Sequence, residues 1–262
     1  MSNVGRLDEM KLYRWAIPKQ CIAKMQAAER ALFFMLGHAI NEINVLNKLF
    51  YLSNHYDPSD KWRQHAHMTQ GLVVARTLTG KLWEAWNLLG DAYFSTQLSK
   101  TYHGKLNDNA AAAIKALQKY FGRDNLIKTL RNAFSFHYDA SEVAKIDVAN
   151  LNSDELLSYV AETNGNTLFY FSEYVVNLAL LESIAPGDPA KAMEALMDES
   201  AEVVGWFNEA AQGIMAEIAN LYMRNADGKV PMEEIDIGAV PMAEDIEIPY
   251  FFDSKHRATP SE

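Results

Sequence analysis

The sequence predicts an all-α protein: an elongated helical bundle of two long antiparallel helices plus further helices, with an extended C-terminal arm. Two long segments carry apolar residues at three- and four-residue spacing, the periodicity of an amphipathic helix. Capping and turn residues separate the segments, and no set of alternating strands could build a central sheet. We assign residues 1–225 to the helical bundle and residues 226–262 to an acidic extended tail.

The first two predicted helices cover residues 27–52 and about 61–98. The stretch from Asp57 to Asp60, which contains Pro58, is a turn signal between them. Because this connection is short, the two long helices should pack antiparallel. Trp83 and Trp86 fall on the predicted core-facing stripe of the second helix.

Capping residues define the later helices. Asn107 and Asp108 begin a third, alanine-rich helix that Gly122 ends, and a short helix follows over about 124–131. Residues 166–184 predict a buried helix. Asp188 as N-cap and Pro189 at the first helical position then predict a last long helix that reaches about residue 223.

Charge is distributed unevenly along the chain. The net charge of -10 argues against a surface covered with cations for indiscriminate nucleic-acid binding. Residues 226–262 contain nine acidic and three basic residues, whereas residues 100–131 contain seven basic and two acidic ones. The tail repeats VPMEEIDI and VPMAEDIEI contain prolines that disfavour a helix. We therefore expect an extended arm on the bundle or on a partner, or alternatively an acidic strap that covers the cationic segment.

Several classes of site and location are disfavoured by the residues available. Cys21 is the single cysteine, which excludes an internal disulfide and a Cys-rich zinc site. No histidine follows a glutamate by three residues, as a ferritin-like di-iron site would need, so we expect no metal and no cofactor. His65 and His67 point to different helix faces and are expected at the surface. The sequence has neither an apolar run of membrane length nor a signal peptide at its start, which predicts a cytoplasmic protein without membrane contact.

The stretch KTLRNAFSFHYDA (128–140) combines cationic, amide, imidazole and carboxylate groups with three aromatic rings. Arg131 can grip a phosphate, Asn132 can fix a hydroxyl or phosphate oxygen, and His137 can move a proton near neutral pH. Together they suit attack of a ribose 2′-hydroxyl on the neighbouring phosphate, without a metal. In a helix the Arg131 and His137 side chains would diverge, so both reach one ligand only with a helix break or with the long reach of arginine.

The arrangement of Arg131, Asn132 and His137 resembles the Arg-x(4–6)-His motif of the HEPN superfamily (higher eukaryotes and prokaryotes nucleotide-binding). This resemblance implies a metal-independent endoribonuclease in a bacterial defence, abortive-infection or toxin–antitoxin context. It implies that Arg131 and His137 are catalytic, that Asn132 assists, and that two protomers form one composite cleft. The expected partners are RNA, a second copy of the chain, and an antitoxin or defence-system protein.

Further residues are candidates for substrate binding, because they carry charge beside the motif or belong to the same string: Lys119, Arg123, Lys128, Tyr138 and Asp139. Some HEPN proteins carry an AMP-accepting tyrosine two places after the histidine. Here that position holds Asp139, so we do not expect AMP attachment.

Two alternatives stay open at this point. In the first, the motif is structural: Arg131 forms a salt bridge at a helix end, Asn132 caps, and His137 is half-buried among rings. In the second, the chain is a non-catalytic helical module that binds a nucleotide or a protein.

Overall fold

The computed structural model describes residues 11–53, 60–135, 140–225 and 228–253. Within them the chain is all-α except for one two-stranded ribbon, which confirms the predicted fold class. The elements are β1 (Leu12–Arg14), α1 (Lys19–Lys24), α2 (Ala27–Ser53), α3 (Lys61–Leu89), α4 (Gln97–Tyr102), α5 (Asp108–Phe121), α6 (Leu126–Leu130), α7 (Ala140–Val143), α8 (Tyr170–Ile184), α9 (Pro189–Tyr222) and β2 (Glu233–Ile235). Two π-helical turns, Gly90–Phe94 and Arg131–Ser135, continue α3 and α6.

The two longest helices before residue 100 form an antiparallel pair. At 1.5 Å per residue α2 and α3 are each about 40 Å long, and they pack on each other, with Lys81 Nζ 2.7 Å from Glu42 Oε1. Only residues 54–60 connect the helices, and so few residues span at most about 25 Å. Such a link cannot return along a whole helix, so α2 and α3 must run in opposite directions.

One large apolar cluster holds the long helices together. Leu36 of α2, Leu78 of α3, Ile114 of α5, Leu180 of α8 and Ile214 of α9 are all buried in it. Complete burial of such a side chain contributes about 1.5–3 kcal/mol to stability. Trp83 and Trp86 are partly buried and pack against the same cluster, as their predicted core-facing positions require.

The prediction of one continuous helix over 61–98 is wrong beyond Leu89. The backbone widens into the π-helical turn, and Thr96 then adopts an extended conformation in which its Oγ1 accepts from the Leu98 backbone N–H at 3.2 Å. This cap ends one helix and begins α4. The helix predicted over 166–184 likewise starts late, at Tyr170, because Leu168 pairs with Tyr159 in an isolated β-bridge.

The predicted capping residues act as expected. The Asn107 Oδ1 accepts from the Ala110 N–H at 2.8 Å, and the Asp188 Oδ1 accepts from the Lys191 N–H at 3.0 Å. Gly122 ends α5 where a Cβ would lie 2.7 Å from the Gln118 carbonyl oxygen. Local polar chemistry therefore sets these helix ends.

The described part of the tail is extended, as predicted, and lies on the bundle. β2 pairs antiparallel with β1, and Arg14 and Lys11 form ion pairs with Glu233 and Glu234. Farther along, Glu247 Oε1 lies 3.3 Å from His67 Nε2. The residues that the tail contacts here, Lys11, Arg14 and His67, lie outside the cationic segment 100–131. These contacts therefore do not form the acidic strap that was the alternative prediction for the tail. Among the described helices, none is long and apolar enough to cross a lipid bilayer.

Candidate functional site

The turn that carries Arg131 is fixed on both of its sides. Asn125 caps α6, with its Oδ1 accepting from the Lys128 N–H at 2.9 Å, and Leu130 is fully buried in the core. The helix then widens into the π-helical turn, where Ser135 Oγ lies 3.2 Å from Thr79 Oγ1 of α3. Arg131 is the first residue of this turn. Its backbone is therefore held against α3. π-helical turns occur frequently at functional sites.

The Arg131 guanidinium lies at the surface of α3 and has one charged partner among the described residues. Its Nη2 lies 3.5 Å from Glu84 Oε1, and its Nη1 donates to Asn132 Oδ1 at 3.3 Å. The side chains of Arg131 and Glu84 are 31% and 52% exposed. A long ion pair between groups this exposed contributes at most about 1 kcal/mol. An incoming phosphate could therefore replace the Glu84 carboxylate at low cost.

One donor of this guanidinium is unused. The Arg131 Nε is buried and has no hydrogen-bond partner among the described residues. Asn132 is exposed and already contacts the guanidinium. The ion pair with Glu84 agrees with the structural alternative for the motif. Because Nε is buried, only the partly exposed end of the guanidinium leaves room for a ligand.

The structure separates the other cationic candidates. Lys128 is three residues before Arg131, on the same side of the helix, and its Nζ lies 3.1 Å from Asp124 Oδ1. Arg123 lines a different crevice, of about 370 Å³, beside Glu199 of α9, and the described lining of that crevice does not include Arg131. Lys119 is exposed on α5. Of these candidates, only Lys128 is a close neighbour of Arg131.

Three predicted site residues, His137, Tyr138 and Asp139, lie outside the described residues. Whether His137 meets Arg131 at one ligand thus stays a prediction. Within the described residues, no group of three or more His, Cys, Asp and Glu side chains could hold a metal ion.

A cavity of about 710 Å³, which the sequence did not predict, adjoins the Arg131 turn. α3, the π-helical turn, α7 and α8 enclose it, with mainly small apolar side chains on its walls. Its polar edge is an ion pair in which Arg76 Nη2 donates to Glu173 Oε2 at 3.0 Å, and Arg76 Nη1 also donates to Asn177 Oδ1 at 3.4 Å. The sequence contained one signal for this ion pair: Arg76 is the single cation in the apolar stretch VVARTL, and Glu173 is the single anion in YFSEYVV.

A second polar cluster connects the start of α3 to the segment before α8. His65 Nε2 lies 3.0 Å from Glu155 Oε2, its Nδ1 lies 2.9 Å from the Tyr159 hydroxyl, and its ring stacks on Tyr170 at 3.7 Å. Burial lowers the pKa of His65, although the charge of Glu155 opposes this shift. Since a carboxylate only accepts, Nε2 carries the proton of the neutral ring and Nδ1 accepts from Tyr159.

The expectation that His65 and His67 lie at the surface is wrong. They are only 3% and 6% exposed, and Glu155 and Glu247, far along the chain, supply partners for their Nε2 atoms. Residue spacing within one helix could not reveal these contacts. The contacts of His65 hold the segment before α8 against α3, and the contact of His67 with Glu247 holds the tail against α3. Both histidines lie far from Arg131 in the sequence.

Of the motif, the described residues include Arg131 and Asn132, which are at least partly exposed and lie beside a cavity that has its own charged edge. No known family model matches the chain, and comparisons with curated proteins and with solved structures find no match either. The resemblance to the HEPN superfamily therefore rests on the motif residues and on the all-helical layout.

Proposed function

We propose that the chain is a metal-independent endoribonuclease of the HEPN type that acts in bacterial defence or in a toxin–antitoxin pair. The observation that supports this most is the Arg131 guanidinium. It lies at the surface on a fixed π-helical turn, next to Asn132, with an exchangeable carboxylate as its charged partner. A phosphodiester that replaces Glu84 there would meet two cationic nitrogens and an amide.

The reaction needs charge stabilisation and one proton transfer at each end. The ribose 2′-oxygen attacks the adjacent phosphorus, and the bond from phosphorus to the 5′-oxygen breaks. The products are a 2′,3′-cyclic phosphate and a 5′-hydroxyl. In this proposal Arg131 stabilises the phosphoryl oxygens and Asn132 orients them, whereas His137 takes or returns the proton. Lys128 adds positive charge beside Arg131, and Lys119 and Arg123 attract RNA from farther away.

The proposed assembly is a homodimer whose two motifs share one cleft, restrained in the cell by an antitoxin or another defence-system protein. These parts of the proposal rest on the resemblance.

The test is cleavage of end-labelled RNA by the purified full chain in the presence of a chelator. Arg131→Ala and His137→Ala should each lower the cleavage rate by at least about 100-fold, the usual contribution of such groups. Arg224→Ala is the matched control, because Arg224 is exposed beyond the end of α9. Unchanged cleavage in the Arg131 and His137 variants would refute the assignment.

The second candidate function is a non-catalytic nucleotide- or protein-binding module. Two observations favour it: Arg131 already has a carboxylate partner, and a separate cavity with a charged edge lies beside it. This alternative predicts ligand binding without cleavage of any RNA.

A further inference from the structure

The cavity beside the Arg131 turn has the size and lining of a binding site for a small planar ligand. Its volume of about 710 Å³ lies within the range of roughly 300–1,000 Å³ found for ligand pockets. Val73, Val143 and Val176 give it apolar walls, and Phe134, an aromatic residue that also packs against the core, lines it. Planar heteroaromatic bases stack on aromatic rings of this kind.

We propose that this cavity binds a guanine base. Its charged edge is the pair formed by Arg76 and Glu173, whose side chains are 13% and 27% exposed. The Watson–Crick edge of guanine presents two adjacent donors, N1–H and N2–H, which one carboxylate can accept together. The neighbouring O6 is an acceptor that a guanidinium can meet. A carboxylate and a guanidinium 3.0 Å apart thus match that edge.

The other bases match this edge poorly. Adenine and cytosine place an acceptor nitrogen beside their amino group, and uracil places two carbonyl oxygens beside its N3–H. An acceptor facing the Glu173 carboxylate would be repelled and left without a hydrogen bond, which is costly in a partly buried site. A complete pair of hydrogen bonds discriminates between bases by about 1–3 kcal/mol, which corresponds to roughly 5- to 150-fold in affinity.

The position of the cavity links it to the proposed nuclease site, and this part of the inference rests on the proposed function. Ala133, Phe134 and Ser135 line the cavity and follow directly after Arg131 and Asn132 in the chain. On α3, Thr77 at the cavity precedes Glu84 by seven residues, or about 10 Å along the helix axis. A short RNA could place its guanine in the cavity and a nearby phosphate at Arg131, so that cleavage occurs next to guanosine.

The experiment is calorimetric titration of the full chain with GMP, AMP, CMP and UMP. We expect GMP to bind at least about fivefold more tightly than the other three. Glu173→Gln should abolish this preference, since the amide offers a donor where guanine requires an acceptor. Glu162→Gln, in an exposed loop residue, is the matched control and should retain the preference.

A second variant covers the case in which Glu173→Gln leaves Arg76 unpaired and disturbs folding. Val73 is 42% exposed at the cavity, so Val73→Trp should fill the space and abolish GMP binding while the thermal melt stays unchanged. GMP binding that is absent, that is no tighter than AMP binding, or that survives in folded Val73→Trp would overturn the inference.

Failure of this inference is distinguishable from failure of the proposed function. Arg131→Ala should lose RNA cleavage and retain GMP binding. Cleavage without any base preference would refute the guanine site and leave the nuclease intact. GMP binding without cleavage in the wild-type chain would refute the nuclease and leave the base site intact.

Discussion

Two glycines of α9 should respond in opposite directions to alanine substitution. A Cβ at Gly213 would lie 2.3 Å from the Ala110 Cβ of α5, whereas a Cβ at Gly205 would meet nothing within 4 Å. Both positions lie in the helix interior, so each alanine gains about 0.8–1.0 kcal/mol of helix propensity. At Gly205 this gain should appear undiminished in the free energy of unfolding.

At Gly213 the clash outweighs the gain. Carbon atoms in contact are about 3.5–4.0 Å apart, so α5 and α9 would have to separate by roughly 1–2 Å. Overpacking of this kind costs about 1–3 kcal/mol. A Cβ contact of 2.3 Å places the cost near the upper end of this range. After subtraction of the helix-propensity gain of about 1 kcal/mol, Gly213→Ala should lower the free energy of unfolding by about 2 kcal/mol. In a chain of this size each kcal/mol moves the Tm by about 2–4 °C.

Thermal and urea melts of the two variants measure this difference, and the double variant Ala110→Gly with Gly213→Ala should recover part of the loss. A Gly213→Ala protein as stable as wild type would contradict the close packing of α5 on α9. That packing positions the α5–α6 turn and, through it, Arg131.

Two further predictions concern buried polar groups. The Tyr93 hydroxyl is buried without a hydrogen-bond partner among the described residues, so Tyr93→Phe should raise the free energy of unfolding by about 1 kcal/mol. Tyr102→Phe removes the donor to buried Glu29 and should lower the free energy of unfolding by about 1–3 kcal/mol. Urea melts measure both changes, and equal effects of the two variants would refute these environments. Unfolded His65 binds its proton near pH 6.5, whereas burial lowers the pKa of folded His65 below that value. Between the two pKa values the unfolded chain therefore binds more protons than the folded chain. The free energy of unfolding falls as the pH drops through that window. His65→Gln should remove this part of the slope in melts at several pH values, and an unchanged slope would show that His65 is not buried neutral.

Local capping chemistry made much of the fold predictable. Asn107, Asp188 and Pro189 define helix starts through contacts within a few residues, and the buried stripes of α2 and α9 repeat at helical spacing. These signals involve residues that are close together in the sequence, so they can be recognised without the structure. The break at Thr96 escaped because its cap competes with strong apolar periodicity on both sides.

Contacts between distant residues were not predictable. β1 and β2 pair although Tyr13 and Glu234 are 221 residues apart, and the acidic tail meets Lys11 and Arg14 rather than the cationic segment. The site shows the same division. The motif identified Arg131, but its partner Glu84 lies 47 residues away on α3. The pairing of Arg76 with Glu173 needs two helices to meet, which composition does not reveal.

The most direct test of the nuclease proposal is the chemistry of the RNA ends produced in the presence of a chelator. Mass spectrometry of the products should show 2′,3′-cyclic phosphate and 5′-hydroxyl ends from the wild-type chain, and no such ends from the Arg131→Ala chain. An RNA that stays intact, or is cleaved only when a divalent metal is added, would contradict the account.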